Sequence, residues 1–463
     1  MKKEQKLVKD TITYMIANFG AKVLLLIIYP IYTYFIIPEE LGNYDLIIST
    51  LTLFYPIVVF SINDAVFRWL LDENVEQNKE IISIGLNITI RNLIIIDIVW
   101  IIVNLIFEFQ YGWLILCIIN FGSMYPVFQQ IARGLQKNLL FALSGLVYAT
   151  SFVLFNCVFV IGLKMSVTGL LLSQIFAYAL ACLFIYTSLP DMRIKWWKHT
   201  DDKILQKSMI KYSLLLIPNS SCWWIMNASD RYLIRLLIGS AANGIYSVSH
   251  KFPSVVNMIT SVFAMAWQEQ AITEFNNEER DNYYSKIYQI YYQGLFCVSL
   301  VLIPITKWFT MFCVESQYTS AWKYSATLYI GSVFLALATF LGTGYLSVKN
   351  TKGSMITSMV GAAINIIVDL ILLPLIGLEA AAISTMLGNF IVWISRWFQS
   401  KKYFTITVNW SKFIILIVIN IVYGVIVRFS TLYVDVCLSA VAMMILVKLN
   451  KELLVALLFK CRK

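Results

Sequence analysis

The sequence predicts an all-α polytopic membrane protein. About fourteen transmembrane helices are expected, in two parallel-repeat six-helix lobes plus a C-terminal helix pair. Three observations carry this. Apolar segments long enough to cross a bilayer, about 20 residues each, recur throughout the 463 residues. Lys and Arg gather in alternate gaps between them, with 26 of the 36 basic residues on one side. The second and eighth segments also open alike, with Gly42-Asn43-Tyr44 and Gly244-Ile245-Tyr246, 202 residues apart.

Composition sets the class. The chain is 59% hydrophobic, with a mean hydropathy of +0.73, against about 45–50% apolar residues in a soluble protein. The net charge of +10 sits in short gaps beside the spans, where it serves orientation and anionic headgroups and not nucleic acid. The eight cysteines contain no CxxC pair, and most lie inside apolar runs, so they read as packing residues. The first apolar run, 12–37, exceeds the 7–15 residues typical of a signal-peptide core and reads as an uncleaved span.

The expected spans are 12–37, 43–70, 81–106, 113–132, 139–162, 167–188, 209–238, 244–274, 287–312, 324–348, 354–376, 380–399, 413–430 and 432–450. By the positive-inside rule both termini face the cytoplasm. The gaps on the opposite side are short: 38–42, 107–112, 239–243 and 314–323. The longest inner gap, 189–208, contains Trp196 and Trp197 among basic residues and reads as an amphipathic linker. It divides the chain into an N-lobe (1–190), a linker (191–208), a C-lobe (209–400) and an extra pair with a tail (401–463). Six is even, so both lobes enter the membrane from the same side, as in a parallel repeat with a central site.

With the residues read as gap residues set aside, Lys307 and Arg396 among them, thirteen charged groups are read at membrane depth: Lys22, Arg68, Arg91, Arg231, Arg235, Lys251, Arg428, Asp45, Asp64, Asp97, Asp230, Glu269 and Asp369. Each costs about 2.5–3.5 kcal/mol at a helix centre on insertion scales, so together they imply a shared polar interior. Helical spacing sorts them. Asn18 and Lys22 share a face, as do Trp223, Asn227, Arg231 and Arg235. His250 belongs to a polar stripe on the eighth span with Lys251 beside it, and Asn365 and Asp369 form another on the eleventh. Lys22, Asn18, Arg231, Asn227, Trp223, Lys251, His250 and Arg91 are the candidate substrate contacts. Arg and Lys suit phosphate, while Trp and Asn suit sugar faces and hydroxyls. A pyrophosphate joined to several sugars would satisfy the set. Asp45, Asp369, Asp64, Arg68 and Asp230 are candidates for coupling to H⁺ or Na⁺ or for gating. Asp64 and Arg68, four residues apart, equally suit a structural ion pair, and His250 a neutral hydrogen-bonding role.

No GxxxxGK[ST], HExxH or GxSxG motif occurs, so neither a built-in ATPase nor these catalytic centres are expected. Asp201-Asp202 lacks metal-ligand spacing. No metal, no cofactor and no catalytic residue are expected.

ProGluGluLeuGlyAsnTyr at 38–44, AsnAspAlaValPheArg at 63–68, SerAspArgTyrLeuIle at 229–234 and AsnGlyIleTyrSerValSerHisLys at 243–251 follow in order. ThrLysGlySer at 351–354, Asn365 and LeuProLeuIleGlyLeuGluAlaAla at 373–381 come after them. In this order the chain resembles the polysaccharide-exporter family of lipid-linked oligosaccharide flippases, in the superfamily that includes multidrug and toxin extruders. The resemblance implies two six-helix lobes and alternating access. It implies that an undecaprenyl-diphosphate-linked oligosaccharide is moved from inner to outer leaflet for capsule, O-antigen or exopolysaccharide. Lys22, Arg231 and Lys251 would then contact substrate, and membrane lipids, a polysaccharide polymerase and glycosyltransferases would be partners. Ile62-Asn63-Asp64 departs from the family's usual Gly-Leu at that point. A multidrug cation antiporter of the same architecture is the alternative, and a membrane glycosyltransferase a third.

Overall fold

The computed structural model describes residues 20, 24, 28, 30–72, 75–190, 202–214, 216–273, 275, 277–347 and 351–449. Among these residues the fold is built almost wholly of α-helix. The helices are α1 (Pro38–Val58), α2 (Ile62–Asp72), α3 (Val75–Phe107), α4 (Gly112–Gly134), α5 (Asn138–Asn156), α6 (Ser166–Ser188), α7 (Lys203–Leu214) and α8 (Ile217–Leu237). They continue as α9 (Ser240–Thr273), α10 (Arg280–Cys313), α11 (Ser325–Ser347), α12 (Thr351–Ile376), α13 (Leu378–Ser400), α14 (Trp410–Phe429) and α15 (Leu432–Leu449). Ten segments are long and apolar enough to cross a membrane among the described residues.

Several boundaries differ from those expected. The single span at 43–70 is two helices. α1 ends at Val58, whose carbonyl accepts a hydrogen bond from the Asn92 side chain (3.0 Å). Phe60 and Ser61 then take φ of 55° and 51°, and α2 begins. The segment 209–238 is likewise broken between α7 and α8, just before Pro218, which is tolerated in the first turn of α8. The gaps at 38–42 and 239–243 are mostly first helical turns. Pro38 opens α1, and Glu39 and Glu40 sit where the helix dipole favours acids. The gap at 314–323 is a 3₁₀ turn, Ser316–Tyr324, capped by the Glu315 carboxylate on Gln317 N.

Contacts divide the chain into two units. The first holds residues 1–36 and 43–224, and the second holds 37–42 and 225–463, so the division falls within α8. In the first unit α2 packs on α4, α4 on α6 and α5 on α6. Its interior contains an aromatic–amide cluster. Tyr44 Oη donates to Gln174 Oε1 (3.4 Å) and Gln174 Nε2 to Tyr148 Oη (2.8 Å). Tyr148 stacks on Tyr178 with centroids 4.8 Å apart. Gln129 Nε2 donates to Tyr125 Oη (2.7 Å).

In the second unit α13 lies against α11 and α12, α9 against α11, and α14 and α15 against α10. Two features hold this unit. α12 and α13 approach through Gly361 and Gly388, where an added Cβ would press on the facing backbone; small residues of this kind allow close packing of membrane helices. The first turn of α1 also crosses the first turn of α9. A Cβ on Gly42 would strike Ser240 O, and one on Gly244 would strike Pro38 O. Asn243 Nδ2 donates to Gly42 O across this crossing (2.8 Å). The two glycines of the sequence repeat are thus packed against each other.

Candidate functional site

The second unit contains a buried acidic cluster contributed by four helices. α8 supplies Ser229 and Asp230, α9 Tyr246, α12 Asn365 and Asp369, and α13 Ala381, Ser384 and Thr385. Helical spacing puts Asn365 and Asp369 on one face of α12, and the small residues Ala380, Ala381 and Ala382 let α13 lie close beside it.

Asp230 is 1% exposed and Asp369 0%. Asp230 Oδ2 accepts hydrogen bonds from Tyr246 Oη (2.8 Å) and Thr385 Oγ1 (2.9 Å). Ser229 Oγ donates to Asn365 Oδ1 (2.9 Å), and Asn365 Nδ2 donates to Ser384 Oγ (3.2 Å). Ser384 in turn donates to Ala381 O (2.9 Å). That chain of donors ends on a carbonyl. Neither carboxylate oxygen of Asp369, nor Oδ1 of Asp230, receives a hydrogen bond from the described residues. The two carboxylates lie within each other's field. Two anions in a dry interior cannot both persist without a compensating positive charge. The arrangement is therefore suited to a proton or a small cation.

A second cluster, of positive charge, adjoins the first. Asp230 and Arg231 are consecutive on α8 and diverge by about 100° around its axis. His250 on α9 lies within the field of both Arg231 and Lys251, and its Nε2 is buried without a hydrogen-bond partner among the described residues. Its ring meets Tyr246 edge-on, with centroids 5.6 Å apart. A cluster of this composition attracts phosphate-like anions.

The remaining expected site residues are distributed as follows. Lys22, Asn18 and the side chain of Asn227 lie outside the described residues. Trp223 is half-buried at the start of α8, in the first unit; its neighbour Trp224 donates to Ser49 O (2.6 Å). Asp45 is buried on α1. Asp64 on α2 accepts from Asn63 Nδ2 (3.2 Å) and lies in the field of Arg133, while Arg68 is exposed. Arg91 is exposed on α3, where Nη2 approaches Asn92 Oδ1 (3.5 Å). The structure thus brings Asp230 together with Asp369, and Arg231 with His250 and Lys251.

Sequence reasoning missed Tyr246 and Thr385 as members of the acidic cluster. Tyr246 stood in the Gly-x-Tyr repeat, which was the available signal; Thr385 offered none. Two cations assigned to gaps are in fact buried. Lys307 forms an ion pair with Asp435 (2.9 Å). Arg396, 3% exposed, donates to Ala338 O (2.9 Å), Thr357, Ser354 and Ser358.

Three solved structures share this fold. Lipid II flippase MurJ in an inward closed conformation superposes with a TM-score of 0.70 at 14% identity, over 96% of this chain and 100% of that one. An inward-facing multidrug resistance MATE transporter of the MOP superfamily gives 0.65 at 13%, over 87% and 95%. The Vibrio cholerae MATE transporter VcmN gives 0.64 at 13%, over 86% and 97%. No curated protein matches the sequence. The family model described as polysaccharide biosynthesis protein matches residues 7–268, more than half of the chain. The chain belongs to that polysaccharide biosynthesis family and has the fold of the MOP-superfamily flippases and transporters.

Proposed function

We propose that the protein is a flippase for polyprenyl-diphosphate-linked oligosaccharides, moving repeat units of a surface polysaccharide from the inner to the outer leaflet by cation-coupled alternating access. The family match and the MurJ-like fold support this reading. The observation that carries it is the adjacency of two opposite clusters in one unit: Arg231, His250 and Lys251 beside the buried pair Asp230 and Asp369. The cations supply a seat for a diphosphate, with Arg as a planar fork and Lys as a point charge. The acids supply a seat for H⁺ or Na⁺, whose movement down its gradient drives the cycle; one charge moved through 100 mV is worth about 2.3 kcal/mol. The reading places a transporter, not an enzyme, in a bacterial cytoplasmic membrane with both termini inside. Polymerase and glycosyltransferases would supply and consume its substrate.

The test is genetic and biochemical. Arg231→Ala with Lys251→Ala should abolish surface polysaccharide at unchanged protein level in the membrane, and reconstituted vesicles should lose translocation of a fluorescent polyprenyl-diphosphate sugar. Normal polysaccharide in that double variant would refute the assignment. The MATE-like fold favours a second reading, cation extrusion. Arg231 and Lys251 oppose it by repelling a cationic substrate, and unchanged drug tolerance on overexpression would exclude it.

A further inference from the structure

The two clusters are joined by one side chain. Tyr246 is 0% exposed and locked among Ile234, Leu328 and Ala381. Its hydroxyl faces the acids and its ring faces the cations. The hydroxyl has one proton and two competing acceptors, Asp230 Oδ2 at 2.8 Å and Ala381 O at 3.2 Å. Thr385 Oγ1, which gives its own proton to Asp230, can accept only at the longer 3.4 Å. The ring edge rests on His250, which lies between the fields of Arg231 and Lys251.

Resting on the flippase reading above, we infer that Tyr246 is the positioning residue that couples cation occupancy at Asp230 and Asp369 to diphosphate binding at Arg231, His250 and Lys251. With Asp230 anionic and its cation absent, the charge-assisted bond to the carboxylate is the stronger of the two, and the hydroxyl donates there. A cation on the open Asp230 Oδ1 neutralises the carboxylate and weakens Oδ2 as an acceptor. The hydroxyl then turns to Ala381 O, which tilts the buried ring. A close-packed interior transmits the tilt to the ring it touches, so His250 shifts against Arg231 and Lys251. The element therefore has two hydrogen-bonded arrangements, and each ligand favours one of them, as coupling between sites requires.

The competing route is the α8 backbone, since Asp230 and Arg231 are neighbours in sequence. The experiment separates the two. Full-length protein in lipid nanodiscs is titrated with farnesyl diphosphate as the probe. The titration is run in sodium against choline chloride at equal ionic strength, and at acid against alkaline pH. In the wild type the probe's affinity should change with the ion by about 5-fold or more, the usual lower range for coupled sites. Tyr246→Phe keeps the ring and removes the hydroxyl; it should still bind the probe, with an ion effect below about 2-fold. His250→Ala breaks the same link from the other side without touching the Asp230 bonds; it weakens the probe in both salts, because His250 is part of the seat, and the ratio of the two affinities should fall below about 2-fold. It also covers the case in which Tyr246→Phe fails to fold. Full ion dependence retained in either variant would overturn the inference and leave the flippase reading intact. Absence of any ion dependence in the wild type, or of probe binding at all, would instead overturn the reading on which it rests.

Discussion

Lys307 and Asp435 make the most quantitative test of the second unit. Lys307 lies on α10 and Asp435 on α15, at 4% and 0% side-chain exposure. The ammonium group meets three oxygens. It is 2.9 Å from Asp435 Oδ2, 2.7 Å from Val427 O and 2.8 Å from Ser430 O. The two carbonyls belong to the end of α14, where helical partners run out. The cation also lies 4.8 Å from the Trp322 ring centroid. Asp435 accepts a second hydrogen bond, from Ser430 Oγ. One ion pair therefore closes the α14–α15 turn and fastens it to α10.

Removing one member of such a pair leaves a buried, uncompensated charge, at a cost of about 3–5 kcal/mol. Lys307→Met and Asp435→Leu should each approach that cost. At 1.36 kcal/mol per tenfold, the unfolded or detached population should rise about 150- to 5,000-fold. The double variant buries no charge and should cost less than the sum by about 2–3 kcal/mol, the upper range for contacting residues. Equilibrium unfolding of the purified protein in mixed micelles measures all four corners of the cycle. Additive single effects, or singles within about 0.5 kcal/mol of wild type, would refute the view that this pair anchors the C-terminal helices.

Three further outcomes follow from the same geometry. Asp369→Asn relieves the repulsion between two buried carboxylates; it should raise the melting temperature without coupling cation and abolish the ion-dependent rise, which for the wild type is about 2.7 kcal/mol at a hundredfold excess over Kd. A retained ion-dependent shift in a melting assay would count against the acidic pair as the ion seat. Gly244→Ala forces a methyl into Pro38 O and should cost about 1–3 kcal/mol; Gly145→Ala, where an added Cβ meets nothing within 4 Å, is the matched control in the same melting comparison. Arg396→Met strands the acceptors on Ala338, Thr357, Ser354 and Ser358 and should cost about 1.5–3 kcal/mol, as for hydrogen bonds to a charged group. Arg396→Lys should recover only part of this, because an ammonium cannot reproduce the planar fork.

The membrane class, the repeat and the charge clusters were legible because they depend on local periodicity. Four-residue spacing on α12 is enough to put Asn365 and Asp369 on one face, and the shared Gly-x-Tyr marks the openings of α1 and α9, whose first turns cross. What escaped were properties set by partners distant in sequence. Lys307 reads as a gap cation until α15 brings Asp435 to it. Arg396 reads as a cytoplasmic anchor until the hydroxyls of α12 surround it. The break after Val58 has a similar cause, since Asn92 on α3 takes the carbonyl at the end of α1, and neither Phe60 nor Ser61 carries a turn signature that announces their positive φ.

The repeat also explains why the acidic pair belongs to one unit. Tyr44 and Tyr246 hold equivalent places two residues after the crossing glycines, and each aims its hydroxyl into the interior of its own unit. Tyr44 meets Gln174, an amide that passes the hydrogen bond on to Tyr148. Tyr246 meets Asp230, a carboxylate that can gain or lose a cation. An amide offers the same acceptor whatever ion is present, so the Tyr44–Gln174–Tyr148 bonds do not themselves respond to one. A carboxylate changes its acceptor strength with occupancy, so the Tyr246 network does. On the cation-coupled reading, the shared helix opening leads to an amide partner in one unit and to the ion seat in the other. Replacing Asp230 by Gln should therefore give the second unit the character of the first: stably folded, able to bind a lipid diphosphate, and indifferent to the ion gradient in a vesicle translocation assay. Gradient-driven translocation persisting in Asp230→Gln would mean that the energy enters elsewhere.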